Sequence, residues 1–143
     1  MGRGAGLEAG CGAEVQETAQ YDGAVETLQR DGVDALLVLS SSTFFAERRR
    51  IADLAIKHRL PLVAPFREVA EAGGLMAYGP NIVELWGQRV PVYVDRILKG
   101  AKPGDLPIEQ PTKYELVLNL KTAKTLGLTI PQSLLLRADQ VLE

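Results

Sequence analysis

The chain reads as an α/β protein, with a Rossmann- or flavodoxin-like parallel sheet and helices on both of its faces. Two observations predict this. Residues 34–64 run strand, polar loop, helix, strand, as ALLVLS, SST, FFAERRRIADLAIKHRL and PLVAP in succession. A near-continuous apolar run of strand length suits a strand covered on both sides, and a helix between two such runs makes a βαβ unit. Its connection is expected to be right-handed. Along the rest of the chain strand-like and helix-like segments keep alternating, about four strands and five or six helices, with no internal repeat. In such sheets ligands bind in the crevice beyond the carboxyl ends of the strands. Ser40, Ser41, Ser42 and Thr43 stand there.

Taken in order, residues 1–14 are Gly-rich and non-periodic, and are expected to be a flexible lead-in. Tyr21, Ala24, Val25 and Leu28 recur at helical spacing over 17–30, and Asp31-Gly32 ends that helix. Ala46, Ile51, Leu54 and Ala55 form the buried stripe of the helix after the Ser/Thr loop. Pro61 forbids its continuation and a short strand follows at 62–64. Residues 67–72 make one or two helical turns closed by Gly73-Gly74, and 75–78 form a third strand. The longest helical pattern spans 81–99, its stripe made by Ile82, Leu85, Trp86, Tyr93, Ile97 and Leu98. Asn81 and Glu84 have capping-box spacing there. Pro91 predicts a kink near 87–91 or two helices meeting. A proline-punctuated loop leads to YELVLNL at 114–120, which alternates as a half-exposed strand. A short helix at 122–126 stops at Gly127. Pro131 opens a last helix with Leu134, Leu135, Ala138 and Val141 as its buried face.

Composition narrows the function classes. With 143 residues, 46% apolar and 24% charged, the chain suits one globular domain with a sizeable core. A formal net charge of -2 with mixed signs argues against a nucleic-acid partner. Arg48, Arg49 and Arg50 read as a solvated helix face. The sequence contains no apolar run long enough to insert in a membrane, and its start lacks the apolar core of a signal peptide. The single cysteine, Cys11, allows no intrachain disulfide, and the single histidine, His58, suits a helix C-terminus. No metal set, cofactor loop, or nucleophile–base pair is evident, so no cofactor, metal or catalytic residue is assigned.

Two segments carry a family resemblance: FFAERRRIADLAIKHRLPLVAPFREVAEAGGLMAYGPNI and YVDRILKGAKPGDLPIEQPTKYELVLNLKTAKTLGLTIPQSLLLRADQVLE. They resemble the C-terminal half of ABC-importer substrate-binding proteins, in the group related to the tryptophan/tyrosine-binding type, over about residues 20–143. The resemblance implies a periplasmic-binding-protein type 1 fold, two-lobed, with three strands crossing between lobes and a small ligand held in the cleft without catalysis. Aromatic amino acids are ligands of its few understood members. The resemblance also implies an ABC permease as partner and a periplasmic or other extracytoplasmic location. It covers one half of such a protein, so the first lobe and an export signal are expected to be missing. On that reading 15–74 form the α/β core of the second lobe, 75–110 return to the first lobe, and 111–143 supply a C-terminal strand and helices. Trp86 and Tyr93 would then pack on a sheet this chain does not encode.

The candidate ligand-binding residues are Ser41, Ser42, Thr43, Phe44, Phe66, Tyr78 and Asn81. Amides at a helix start favour an anion such as a carboxylate, while a hydroxyl there can simply cap the helix. Of Phe44 and Phe45, one is expected to face the core. The other, like Phe66, would line the cleft if the resemblance holds. Arg67 is weighed as a carboxylate partner against an ordinary surface arginine. Tyr78 and Asn81 follow the third strand, near the ligand in the family, although Asn81 also suits a helix cap. Glu115 and Asp95 read as surface charge. Two further functions stay open: a homodimeric, non-catalytic regulatory or structural half-domain, and a flavodoxin-like enzyme.

Overall fold

A computed structural model describes residues 12–15 and 17–143. The expected lead-in over 1–14 falls outside the described residues except for its last three, and Cys11 lies outside them as well. After a 3-10 turn at Thr18–Gln20, the helices are α1 (Tyr21–Arg30), α2 (Ser42–Ala46), α3 (Arg48–Lys57), α4 (Arg67–Glu71), α5 (Ile82–Leu98), α6 (Leu120–Leu126) and α7 (Gln132–Leu135). The strands are β1 (Leu36–Leu37), β2 (Leu62–Ala64), β3 (Met76–Pro80), β4 (Tyr114–Asn119) and β5 (Gln140–Leu142), in one sheet of order β1-β2-β3-β4-β5. The chain is α/β as the sequence predicts.

The local rules are obeyed where the sequence is explicit. Gly32, at φ +80, turns the chain after α1 in a conformation that costs glycine little. His58 is the C-cap of α3, and Gln29 meets its Nδ1 at 2.6 Å. Gly127, at φ +72, closes α6. The core lies on one face of the sheet. There Tyr21 and Val25 of α1, Ile51, Leu54 and Ala55 of α3, and Val69 of α4 pack with Leu36, Leu62 and Ala64 of the strands. Ala70, Ala77 and Val117 continue it towards β4, with Leu142 against them.

Three expectations are corrected. The sheet is mixed rather than wholly parallel: β1, β2 and β3 are parallel, β4 runs antiparallel to β3, and β5 is parallel to β4. The chain leaves β3 and returns into β4 at the same edge, which forces the reversal. Helices do not cover both faces evenly. Register puts Leu37, Val63, Met76, Tyr78, Leu116, Tyr114 and Val141 on the second face. Leu37 and Leu39 are each 69% exposed there, and Tyr78, Tyr114 and Val141 are also exposed, although Leu118 is buried. The last helix is a single turn, α7, and Val141 lies in β5 instead. Asp139 fixes this change: its amide donates to Leu116 O at 2.9 Å and its carboxylate accepts from Leu116 N at 2.8 Å. Two backbone-directed bonds dock the next three residues against β4.

The long helix α5 is continuous through Pro91 and none of its residues is buried. Pro91 is exposed, and the helix carries both its lost hydrogen bond and the conflict of its ring with the carbonyl one turn earlier. Seventeen residues give α5 a length of roughly 25 Å. The segment behind it runs alongside. Tyr93 Oη donates to Pro107 O at 2.5 Å, and Arg89 pairs with Glu109.

Candidate functional site

Because β1, β2 and β3 are parallel, their carboxyl ends share one edge of the sheet. The amino ends of β4 and β5 reach the same edge, because both strands run the other way. Every residue singled out as a ligand-binding candidate lies on this edge, on the loops that leave it, or on α2 just beyond.

Ser41 precedes α2 in an extended conformation (φ -153, ψ 140), and its hydroxyl makes no capping hydrogen bond. The capping alternative weighed for this loop is therefore not used by Ser41. Ser42 and Thr43 begin α2 with exposed side chains. Phe44 turns inward, packing against the core with its ring 6.0 Å from that of Tyr21. Phe45 meets Phe66 edge-on, with centroids 5.3 Å apart, and Phe66 itself packs against the same core as Phe44. Arg48 stacks its guanidinium 4.8 Å from the Phe45 centroid and donates to Phe45 O at 2.9 Å. Two of the three arginines in the basic run thus have structural work, since Arg50 pairs with Asp22 of α1 at 3.1 Å.

The centre of the edge is a charged network that sequence reasoning missed. Glu115, expected as surface charge, has a side chain only 13% exposed. One oxygen accepts from Arg67 Nη1 at 3.1 Å and the other from Asn81 Nδ2 at 2.9 Å. Arg67 also donates to Glu71 at 3.2 Å and to Gln140 of β5. Its guanidinium is engaged by protein acceptors on three sides. The Asn81 carbonyl oxygen caps α5 by accepting from Glu84 N at 3.0 Å. Asn81 therefore joins the helix start to the sheet edge with both ends of its amide. The signal for Glu115 was its place at the start of an alternating strand. Knowing what it meets required the antiparallel register Gly79↔Glu115.

Gly79 sits inside β3, and its role is steric. A Cβ there would overlap the Pro65 carbonyl oxygen and stand 2.9 Å from the carbonyl carbon. Only glycine lets the ends of β2 and β3 come this close. Tyr78, on the opposite face, stacks on Tyr114 with centroids 5.9 Å apart and an interplanar angle of 27°. Both rings are largely open to solvent. The edge thus presents aromatic surface, free hydroxyls and loop amides around a self-satisfied charged centre. Among the described residues no group of three or more His, Cys, Asp and Glu is placed to hold a metal ion.

A parallel β1–β3 core with its helices, and a long helix none of whose residues is buried, defines a class: half of a binding-protein-like α/β domain. The chain belongs to the ABC transporter substrate binding protein family, whose model matches residues 10–142. Solved structures agree. A conserved domain protein from Vibrio cholerae shares 25% identity at a TM-score of 0.82, covering 90% of this chain and 43% of that one. The ABC domain from Streptococcus pneumoniae in complex with L-Trp shares 30% identity at a TM-score of 0.80, with the same two coverages. A ligand-free, open substrate binding protein with adhesive properties from Clostridium difficile shares the fold at 20% identity and a TM-score of 0.61. The chain spans less than half the length of each of these proteins. No curated protein matches it.

Proposed function

We propose that this chain is the second-lobe part of a solute-binding component of an ABC import system, and that it binds a small ligand, an aromatic amino acid, without catalysis. The observation that supports this reading is that Ser41, Ser42, Thr43, Phe45, Phe66, Tyr78 and Asn81 lie at or just past the carboxyl ends of the parallel strands β1, β2 and β3, in a family of substrate binding proteins. A relative 30% identical to it holds L-Trp. In this reading Phe45 and Phe66 supply apolar area, while the amides and hydroxyls of 41–43 face the ligand carboxylate. Phe44 and Asn81 support the wall from behind, Phe44 through the core and Asn81 through its cap. Arg67 keeps Glu115 and Gln140 in place rather than meeting the ligand.

Of the segment 75–110, the part past β3 is what reaches a first lobe in this reading. The chain runs out from Pro80 and comes back at Tyr114, its register partner, so everything between hangs beyond the sheet edge. A groove of about 410 Å³ lined by Leu85, Trp86, Val90, Tyr93, Ile97 and Ile108 is then the seat of that lobe. By family membership the working site is extracytoplasmic and an ABC permease is the downstream partner. Among the described residues no helix is long and apolar enough to cross a membrane.

A specific observation favours one alternative. Trp86 is 63% exposed on a helix that buries nothing, and a second copy of the chain could cover it, as in a homodimeric regulatory or structural half-domain. Thermal unfolding against a panel of amino acids separates the two. The binding reading expects the midpoint to rise with an aromatic amino acid and the rise to shrink in Phe45→Ala. A dimer indifferent to all of them would support the alternative.

A further inference from the structure

Among the described residues two buried side-chain polar atoms have no hydrogen-bond partner, His58 Nε2 and Tyr21 Oη. A hydroxyl taken out of water without an acceptor is costly, so the tyrosine calls for a reason. Tyr21 is 4% exposed and opens α1. Near the other end of that helix Gln29 meets His58, a few residues before β2 begins. Hence α1 runs back against the parallel strands, and its first turn lies at their carboxyl-end edge. The Tyr21 ring is gripped there by three elements. Phe44 of α2 stands 6.0 Å from it, the Arg50 guanidinium of α3 lies 5.7 Å from its centroid, and Leu36 of β1 shares its core cluster.

The stretch between β1 and α2 is held loosely by comparison. Among the described residues no backbone hydrogen bond involves Leu39 or Ser40, and the Ser41 hydroxyl makes no cap. The helix α2 is five residues long, and Glu47 (φ -90, ψ 13) separates it from α3. An orphaned donor is thus buried against a short element whose leading carbonyls no protein group claims. We propose that Tyr21 is a positioning residue for the ligand wall. When a ligand is held at 41–43, α2 and its leading loop settle towards α1, and the carbonyl of Leu39 or Ser40 accepts from Tyr21 Oη. Capture of the ligand and satisfaction of the buried hydroxyl are then one event. The unpaired hydroxyl of the free protein favours the bound arrangement, because only there is its desolvation compensated. The inference rests on the ligand reading above and adds to it a residue that acts from behind the wall, through Phe44 and the loop, without touching the ligand.

The test is Tyr21→Phe, which removes one oxygen and leaves the ring packed on Phe44. Parent and variant, both full chains carrying 13C at the tyrosine ζ carbon, are titrated with L-tryptophan, and their unfolding midpoints are measured without it. The ligand-free midpoint should be unchanged or higher in the variant, since no hydrogen bond is lost. Affinity for L-tryptophan should fall about fivefold, the worth of one hydrogen bond made only in the bound state. In the parent the Tyr21 ζ resonance, assigned by its disappearance in the variant, should move as binding saturates. A ligand-free midpoint lower by more than about 3 °C would mean that the hydroxyl is already partnered, and would overturn the proposal. Equal affinity in the two proteins, or a ζ resonance that stays in place, would overturn it while leaving the ligand reading intact. No saturable binding by the parent would sink both.

Discussion

Replacing Gly79 by alanine tests how the binding edge is assembled. The new methyl carbon overlaps the Pro65 carbonyl oxygen and lies 2.9 Å from its carbonyl carbon and 3.2 Å from its Cα. None of these atoms ends a flexible side chain. They are the backbone of β2 as it leaves the sheet, and Gly79 is held on its other side by pairing with Glu115. The strand cannot retreat without loosening the Arg67–Glu115–Asn81 network. Overpacking costs about 1–3 kcal/mol, and a backbone obstacle places this change near the top of that range. For a chain of this size each kcal/mol lowers the midpoint by roughly 3–4 °C, so a loss of about 3 kcal/mol moves it down by about 10 °C. Gly23→Ala is the internal control. A Cβ there meets nothing within 4 Å, on the exposed first turn of α1, and alanine should gain up to about 0.5–1 kcal/mol. Calorimetry and urea unfolding on both variants decide the matter. The steric reasoning is refuted if Gly79→Ala stays within about 0.5 kcal/mol of the parent, or if the two variants shift the same way.

Three further outcomes follow from the same edge and its helix. Arg67→Met leaves Glu115, a largely buried carboxylate, with Asn81 as its remaining partner; a loss of about 2 kcal/mol in urea unfolding is expected, discounted because Arg67 itself is partly exposed. An unchanged stability would mean that the network is ornamental. Asn81→Ala removes the cap on Glu84 N and should cost about 1 kcal/mol, with faster amide exchange confined to the first turn of α5. Trp86 is the single tryptophan and is exposed, so its emission should be water-like and readily quenched by acrylamide. A blue, protected emission from the isolated chain would mean that α5 is already covered.

Much of this architecture could be read from the residues. The βαβ unit, the glycine stops after α1 and α6, and the Asn81 cap each depend on local chemistry that a sequence displays directly. What escaped depends on distance. ALLVLS reads as a strand buried on both faces because apolar residues look alike in sequence whether covered or exposed, and Leu37 and Leu39 are exposed. Phe44 and Phe45 are visibly a pair, but adjacent helical residues point about 100° apart, and only the packed α1 decides that Phe44 goes inward. Val141 has the right spacing for a helix stripe after Pro131, yet Asp139 captures Leu116 and turns the segment into a strand. Glu115 read as surface charge, and Arg67 as a surface arginine or a ligand partner, because their meeting spans 48 residues and depends on strand register.

The central claim is that the strand-end edge is one wall of a ligand site, and amide chemical shifts report on it residue by residue. L-tryptophan is titrated into the isotopically labelled full chain up to about 10 mM, since half a cleft covers half a ligand and binding at the millimolar level, about 4 kcal/mol, is what one wall can supply. The account predicts saturable shifts clustered at Ser41, Ser42, Thr43, Phe45, Phe66 and Tyr78, with glycine producing none. Shifts scattered along α5 and its groove, or no shifts from any amino acid, would contradict it.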